Sequence, residues 1–338
     1  MPINVKKAKD RQAVAVLESA PTYKPRRATP VEASDIDAIF DGLTVIDPTA
    51  EPPDIEMSSI DIQGEKGGGK SALAVGNERA IHAAMTDGNP VFPRTLAKVT
   101  HVRSLDEFDR LVDKTLEYAA KYGTNGRFCT FTIDPTLVLV QWLLRRELEK
   151  ANSEALKQFE IDQRYNRISS DQVFNPWESI RDVPQANMTQ FPKVAEMILQ
   201  IGDRFRTFGW GVWTCTHYKW GVQYDEKGRP KADWIPDIPG STAHIISKYS
   251  DMLVVADKQL VHTGDRKTPM YSACFQRDGG ESVGSRVPII GDAVFLDYND
   301  KRTPKNYVSL HTLRDKYNQA RSEWVAQQRE FSEASQGE

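Results

Sequence analysis

The stretch GEKGGGKS, residues 64–71, decides the fold class of this chain. It matches the phosphate-binding loop pattern G-x-x-x-x-G-K-[ST] at every fixed position. Residues 59–63 (SIDIQ) precede it with the composition of a short strand, and residues 72–75 (ALAV) follow it with that of a helix. A glycine-rich turn that matches by chance is the alternative. The strand–loop–helix context favours a loop that binds nucleotide phosphates.

Each part of this loop has a chemical task in such a site. Glycines let backbone N–H groups approach the phosphates, because a Cβ would block the approach or forbid a positive φ. The helix N-terminus adds favourable dipole charge. Lys70 would reach the β- and γ-phosphates, and the Ser71 hydroxyl would help to hold Mg²⁺. The residues expected to contact the nucleotide are Gly64, Glu65, Lys66, Gly67, Gly68, Gly69, Lys70, Ser71 and Ala72.

The composition is that of a globular chain with a sizeable core. The 338 residues are 39% hydrophobic and 27% charged, which suits one large α/β domain with appendages or two domains. The sequence shows neither an apolar run that could span a bilayer nor an apolar signal segment, so we expect a cytoplasmic protein. The net charge of −3 allows only local basic patches for nucleic acid. Cys129, Cys215 and Cys274 are widely spaced and resemble small buried hydrophobes in a reducing compartment.

The pattern along the chain divides it into three parts. Residues 1–35 are polar and basic, which predicts a flexible arm, with a nucleic-acid-contacting arm as the alternative. Residues 36–260 alternate strands and helices. The strands are too apolar to face water on one side, which predicts a mostly parallel sheet with helices on both faces. Residues 160–190 are predicted to be a polar insertion, and residues 261–338 to add strands, a charged helix and a polar tail.

Individual elements follow from periodicity and breakers. The helix after the loop is expected to run to about Met85, before a breaker cluster at 87–90. Ser104 and Glu107 form a capping-box pattern at the start of another helix. Further strands are expected at 96–102, 127–134, 210–217 and 251–256, and further helices at 141–158, 191–207 and 241–248.

Two strand ends carry groups suited to nucleotide chemistry, since ligands bind beyond the carboxyl ends of parallel strands. Asp134 ends the strand 127–134, where it would act on Mg²⁺ through bound water; a cap for the following turn is the alternative. His217 ends the strand 210–217, where it would sense the γ-phosphate or orient water, with Thr216 as a second candidate. We therefore predict Lys70, Asp134 and His217 as catalytic residues.

The predicted metal ligands are Ser71 and Asp134, holding the Mg²⁺ of bound ATP. For the base that activates water, the sequence offers Glu65, within the loop, and Asp61, on the preceding strand.

Aromatic and basic residues alternate over 217–231. This pattern is typical of surfaces that stack bases and neutralise phosphates, and the alternative is a surface hairpin with no such role. The candidate contacts to single-stranded DNA are Lys219, Trp220, Arg229 and Lys231.

Together these segments resemble RecA-type ATPases, and most closely the short single-domain RecA-like ATPases that bacteriophages encode near recombination and annealing genes. The likeness rests on three stretches. They are GEKGGGKS, then TIDPT at 132–136, and then the run from VWTCTH (212–217) through PDIPG (236–240) to YSDMLV (249–254). It covers about residues 57–260.

This resemblance implies a RecA-like P-loop ATPase whose hydrolysis of ATP is coupled to single-stranded DNA in phage recombination or replication. It also implies a ring or filament of subunits in which a basic residue reaches the neighbour's ATP. Arg314 and Lys316 lie near that family's Lys-x-Arg pair, in reversed order. The family's water-orienting Glu, on the strand after the first helix, has no obvious counterpart. The alternatives are an ATPase acting on a protein partner, such as a helicase loader or virion-assembly ATPase, and an ATP-dependent assembly module with little hydrolysis.

Overall fold

The computed structural model describes residues 52–85, 96–174, 183–224, 230–238, 242–263, 266–274, 292–298, 304–306 and 309–336. Residues 51–338 form one compact unit. The arm expected over residues 1–35 and the start of the core expected at residue 36 lie outside the described residues.

The described elements alternate between strands and helices for most of the chain. The strands are β1 Ile60–Gly64, β2 Ala80–Ala84, β3 Lys98–His101, β4 Thr130–Asp134, β5 Gly211–Tyr224, β6 Pro230–Pro236, β7 Met252–Thr263, β8 Arg266–Cys274, β9 Asp292–Tyr298 and β10 Pro304–Asn306. The helices are α1 Lys70–Val75, α2 Leu105–Tyr122, α3 Thr136–Arg164, α4 Val183–Arg206, α5 Thr242–Tyr249 and α6 Ser309–Gln336, with short 3₁₀ helices at Ile55–Met57 and Gly123–Asn125. None of the helices in these ranges is both long and apolar enough to cross a bilayer.

One sheet contains all of these strands. Its order is β10-β9-β8-β7-β1-β5-β4-β2-β3, with β6 paired to β5 beside this path. The pairings from β7 to β3 are parallel, and β8, β9 and β10 extend the sheet in antiparallel fashion. The predicted α/β class with a mostly parallel sheet is confirmed. The loop strand β1 lies inside the sheet, between β5 and β7.

Helices cover both faces of the sheet, as the sequence predicted. On one face α1 and α6 bury Leu73 and Tyr317 against Ile62 and Trp213. On the other face α2, α3, α4 and α5 pack over β4 and β5, with Phe131 at the centre of the cluster. Each fully buried side chain of this size contributes about 1.5–3 kcal/mol, so the two clusters hold the sheet in place from both sides.

The strand β2 corrects the sequence interpretation, which placed a continuous helix up to Met85. The helix α1 ends at Val75, and the buried Asn77 holds the following turn. Its side-chain amide donates to Thr130 Oγ1 at 3.0 Å, and its side-chain carbonyl accepts from the Arg79 backbone N–H at 2.9 Å. The alanines of residues 80–84 favour a helix locally, but a strand buried between parallel neighbours needs no polar alternation.

Three further boundaries differ from the prediction. The strand predicted at 210–217 continues to Tyr224 and returns as β6, so the segment of alternating aromatic and basic residues lies largely on a hairpin. The helices α3 and α4 extend into the insertion expected over 160–190, whose residues 175–182 lie outside the description. The boundary expected at residue 260 falls inside β7, and the strands beyond it continue the same sheet.

The capping pattern at α2 is confirmed in part. The Ser104 hydroxyl accepts from the Glu107 backbone N–H at 3.2 Å. The Glu107 carboxylate accepts from the backbone N–H of Arg103, one residue before the cap, at 2.8 Å. Both Cys129 and Cys215 are free thiols in the buried core, as predicted.

The C-terminal helix α6 is fastened to the segment that leads into β1. The Tyr317 hydroxyl donates to the Pro53 carbonyl at 2.8 Å, and Arg321 Nη1 lies 2.6 Å from Asp54 Oδ1. Arg314 Nε donates to Glu56 Oε1 at 2.7 Å, and this carboxylate is buried. The charged helix predicted near the C-terminus is therefore part of the folded core.

The loop strand is also tied to β5 by a buried carboxylate. Asp61, 1% exposed, accepts hydrogen bonds from Thr214 Oγ1 at 2.8 Å and Thr216 Oγ1 at 2.9 Å. The Gln63 side-chain amide donates to it at 2.5 Å, and the Tyr218 hydroxyl in turn donates to Gln63. Burial of a charge is tolerated only with such partners.

We expect Asp61→Ala to lower the free energy of unfolding by about 2–4 kcal/mol, because two threonine hydroxyls and an amide lose their buried acceptor. The measurement is urea unfolding followed by circular dichroism. Asp257→Ala, at an exposed position on β7, is the matched control and should change the stability by less than about 0.5 kcal/mol. Equal losses in the two variants would contradict the structural role of Asp61.

Candidate nucleotide-binding site

The glycine-rich loop runs from the end of β1 to the start of α1. Gly69, the N-cap of α1, has φ = 94°, a left-handed conformation that favours glycine. A Cβ on Gly64 would lie 2.3 Å from the carbonyl oxygen of Ala256, so β7 approaches the loop too closely for any side chain there. The loop conformation thus depends on both glycine and the neighbouring strand. The helix behind it spans only 6 residues, fewer than the sequence predicted.

Lys70 lies inside the loop. It is 3% exposed, and its Nζ donates to the carbonyl oxygens of Gly64 at 2.9 Å and Glu65 at 2.6 Å. Burial lowers the pKa of this ammonium, while Cys215, Asp134 and Glu65 act in the opposite direction. The side chain is held on the loop, where the sequence pattern expects the lysine that contacts phosphates.

Asp134 meets the loop from the end of β4. The hydroxyl of Ser71, from the loop pattern, is close enough to this carboxyl group to lower its pKa. Burial raises the pKa of Asp134, but contacts with His82, Ser71 and His217 outweigh it, and the net pKa is lowered. The group is therefore ionised at neutral pH.

This pair suits Mg²⁺. The ion prefers oxygen ligands, and it takes few of them from the protein, completing its shell with phosphate oxygens and water. The structure brings the Ser71 hydroxyl and the Asp134 carboxylate together beside the loop, and their role as metal ligands stays a prediction.

His217 lies beside the loop on the intervening strand. It is the register partner of Gly64, and β5 separates β1 from the strand of Asp134. The pKa of His217 is lowered, chiefly by burial and then by Lys70. Asp134 and Asp237 act in the opposite direction. The imidazole is therefore neutral at pH 7. The sequence predicted that His217 ends its strand. Instead, β5 continues past His217 into the hairpin.

Two other sequence candidates lie elsewhere. Thr216, one residue from His217, is bonded to Asp61 on the opposite face of the sheet. Asp61 is committed to that buried network, so the prediction of either residue in the nucleotide site is wrong. Glu65 is exposed on the loop, with its backbone carbonyl bonded to Lys70. The alternation of side chains along a strand explains why neighbours in sequence face different sites.

The structure describes the candidate DNA contacts only in part. Lys219 Nζ lies 2.9 Å from Asp237 Oδ1, an ion pair at the base of the β5–β6 hairpin. Trp220 and Lys231 lie on the paired strands of the hairpin, but the structure describes only their backbone. Arg229 lies outside the described residues altogether. Their contact with DNA stays a prediction.

The candidates for a residue acting on a neighbouring subunit lie on α6. The guanidinium of Arg314 is paired with the buried carboxylate of Glu56 in the same chain. This pairing argues against a reach into another subunit. Lys316 lies half-buried on the same helix, and its role stays a prediction.

His82 is a residue that the sequence interpretation missed. It lies in the middle of β2, is 0% exposed, and places its Nε2 3.3 Å from Asp134 Oδ2. The signal that would have found it is the strand itself. Once residues 80–84 form a strand beside β4, His82 and Asp134 lie on the same face of neighbouring strands.

An open cavity of about 420 Å³ lies at the edge of the sheet, between β3 and α2. Its lining includes three cationic side chains, Arg103, Arg110 and Lys114, and one acidic side chain, Glu107. The strands β5, β4 and β2 stand between β3 and the loop strand. The cavity is therefore separate from the phosphate loop.

Comparison of the chain with protein-family models gave no match, and comparison with curated proteins gave none either. The functional argument therefore rests on the sequence pattern and on the geometry of the site.

We expect NMR titration of His217 to give a pKa below 6.5, and Lys70→Ala to raise it, because the substitution removes a nearby positive charge. Lys98→Ala, on the exposed edge strand, is the control and should leave the pKa unchanged. Since the unfolded chain binds this proton more tightly, His217 favours the folded state above about pH 6.5 and loses that contribution as the pH falls. A pKa at or above 6.5 in the unmodified protein would contradict the assigned environment.

Proposed function

We propose that this chain is a RecA-like P-loop ATPase that binds and hydrolyses ATP with Mg²⁺. The observation that carries the proposal is the meeting of Lys70, Ser71 and Asp134 at one edge of a parallel sheet, beside a loop of the phosphate-binding pattern. The strand order, with β5 between the loop strand and the strand of Asp134, is consistent with a RecA-like or a Rossmann-like fold. The loop sequence favours the first.

The proposed chemistry is electrostatic. Phosphoryl transfer spreads negative charge over the oxygens of the transferred group, and catalysis consists mainly of positioning and charge stabilisation. Lys70 supplies a fixed positive charge at the loop. Mg²⁺, when bound, offsets charge on the phosphate oxygens; Ser71 and Asp134 are the residues that would hold it. His217, neutral and beside Gly64, can accept or donate a hydrogen bond next to the γ-phosphate.

Among the described residues, the site places no carboxylate where it could activate the attacking water. Glu65 is exposed and Asp61 belongs to another face. The strand β2 carries no carboxylate, and the first one after it, Asp87, lies outside the described residues. We therefore assign the orientation of water to His217 among the described residues, and we expect slow turnover without a partner.

We propose single-stranded DNA as the coupled partner, in phage recombination or replication, with subunits in a ring or filament and in the host cytoplasm. The hairpin supports this coupling, because β5 carries His217 and continues directly into the segment with the basic and aromatic residues. A ligand bound to the hairpin would act on the strand that holds His217. The candidate contacts are the described Lys219 and the nearby Trp220, Arg229 and Lys231.

A second candidate function is an assembly module that uses ATP binding with little hydrolysis. The observation that favours it concerns the two carboxylates that the sequence offered as bases. Asp61 is bonded to Thr214 and Thr216 on the other face of the sheet, and Glu65 is exposed to solvent on the loop. An ATPase acting on a protein partner uses the same site and differs only in what stimulates it.

We expect Lys70→Ala to lower kcat/KM for ATP by about 100- to 1000-fold. The substitution removes a fixed positive charge that would stabilise the negative charge developing on the transferred phosphate. Asp134→Ala should remove the Mg²⁺ dependence of activity. The measurements are phosphate release at varied Mg²⁺ and circular dichroism to verify the fold. Lys121→Ala, exposed on α2, is the control and should match the unmodified protein. Full activity in Lys70→Ala would refute the site.

We expect single-stranded DNA to stimulate ATP turnover, with DNA affinity falling as salt rises because phosphate contacts release counterions. The experiment measures turnover with and without a homopolymer oligonucleotide, and particle size with and without ATP. Stimulation by a protein partner alone would favour the helicase-loader or virion-assembly alternative. ATP-dependent assembly with negligible turnover would favour the assembly module.

A further inference from the structure

A buried histidine in the centre of a parallel sheet needs an explanation. His82 is the single polar residue of β2, which otherwise consists of alanine and isoleucine. It is 0% exposed, and neither ring nitrogen makes a well-aligned hydrogen bond within the described part of the chain. A buried polar group costs free energy unless it is paired, so an apolar side chain would stabilise this strand better.

The geometry of β2 and β4 directs this histidine to one group. His82 is the register partner of Thr132, and Asp134 follows two residues later on the same face. The distance from His82 Nε2 to Asp134 Oδ2 is 3.3 Å, and both side chains are buried. Among the contacts that lower the pKa of Asp134, the one with His82 comes first.

The carboxylate of Asp134 is thus held from two sides. Ser71 contacts it from the phosphate loop, and His82 contacts it from β2. Without the second contact, the side chain of Asp134 would be free to turn about its own bonds, since a short side chain at a strand end has several staggered positions. Groups that orient a metal-binding side chain typically change metal affinity by about 10- to 100-fold.

We propose that His82 is a positioning residue that fixes Asp134 in the orientation that faces Ser71 and the Mg²⁺ of bound ATP. This inference rests on the proposed nucleotide site. It adds a residue that contacts neither the nucleotide nor the metal and acts only through Asp134.

The test compares His82→Leu, which removes the nitrogen donors, with His82→Gln, whose amide nitrogen can take the place of Nε2. The readout is the Mg²⁺ concentration that gives half-maximal binding of a fluorescent ATP analogue, together with the thermal midpoint. We expect His82→Leu to require about 10- to 100-fold more Mg²⁺ and His82→Gln to stay within about 3-fold of the unmodified protein. The thermal midpoint of His82→Leu should not fall, because an apolar side chain suits the buried strand.

The control is His101→Leu, which changes an exposed histidine on the neighbouring strand β3 and should leave the Mg²⁺ requirement unchanged. If His82→Leu does not fold, His82→Asn takes its place, because its amide is too short to reach Asp134 while His82→Gln is not. An unchanged Mg²⁺ requirement in the variant without the contact overturns the role of His82 and leaves the proposed function intact. If the unmodified protein binds no ATP analogue with Mg²⁺, the proposed function fails, and the inference fails with it.

Discussion

A buried carboxylate in the loop strand constrains the centre of this sheet. Asp61 has no access to water and depends on the hydroxyls of Thr214 and Thr216, so β1 and β5 can pair in only one register without leaving a charge unpaired. A slip of one residue would turn Asp61 toward the apolar cluster under α1. The same register places Gly64 beside His217. The position of the phosphate loop relative to the candidate γ-phosphate sensor thus follows from an interaction on the other face of the sheet.

The two faces of the central strands have different tasks because side chains alternate along a strand. On the face under α1, His217 of β5 lies beside Gly64, Asp134 ends β4, and His82, in the middle of β2, contacts Asp134. On the opposite face Asp61 and Thr216 stabilise strand pairing. The alternation also explains the charge pattern. Burial, and then the positive charge of Lys70, lower the pKa of His217, while contacts with His82, Ser71 and His217 lower the pKa of Asp134.

The sequence alone predicted the fold class, and it named several of the residues that the structure places around the loop. The phosphate loop is recognisable because its backbone needs glycines at fixed positions, and Asp134 and His217 follow from the rule that ligands bind at the carboxyl ends of parallel strands. The strand β2 was not predictable in this way. Its alanines favour a helix, and only the pairing with β3 and β4, distant in sequence, makes it a strand. His82 was missed for the same reason. Arg314 was proposed to reach a neighbouring subunit because it lies near the position of the family's Lys-x-Arg pair. Its contact with Glu56, a residue distant in sequence, could not be read from local patterns.

The continuity of β5 connects the chemistry to the hairpin. Its first half lies in the sheet between β1 and β4, where Trp213 and Cys215 are buried, and its second half pairs with β6 alone. His217 and Tyr218 lie where these halves meet. The Tyr218 hydroxyl donates to Gln63, the residue that immediately precedes the loop, and the backbone N–H of Asp237 donates to the carbonyl of His217. The start and the end of the hairpin are therefore hydrogen-bonded to the strand before the loop and to His217. In the proposed mechanism His217 would orient the attacking water, and the hairpin is the element whose end is hydrogen-bonded to the backbone of that residue.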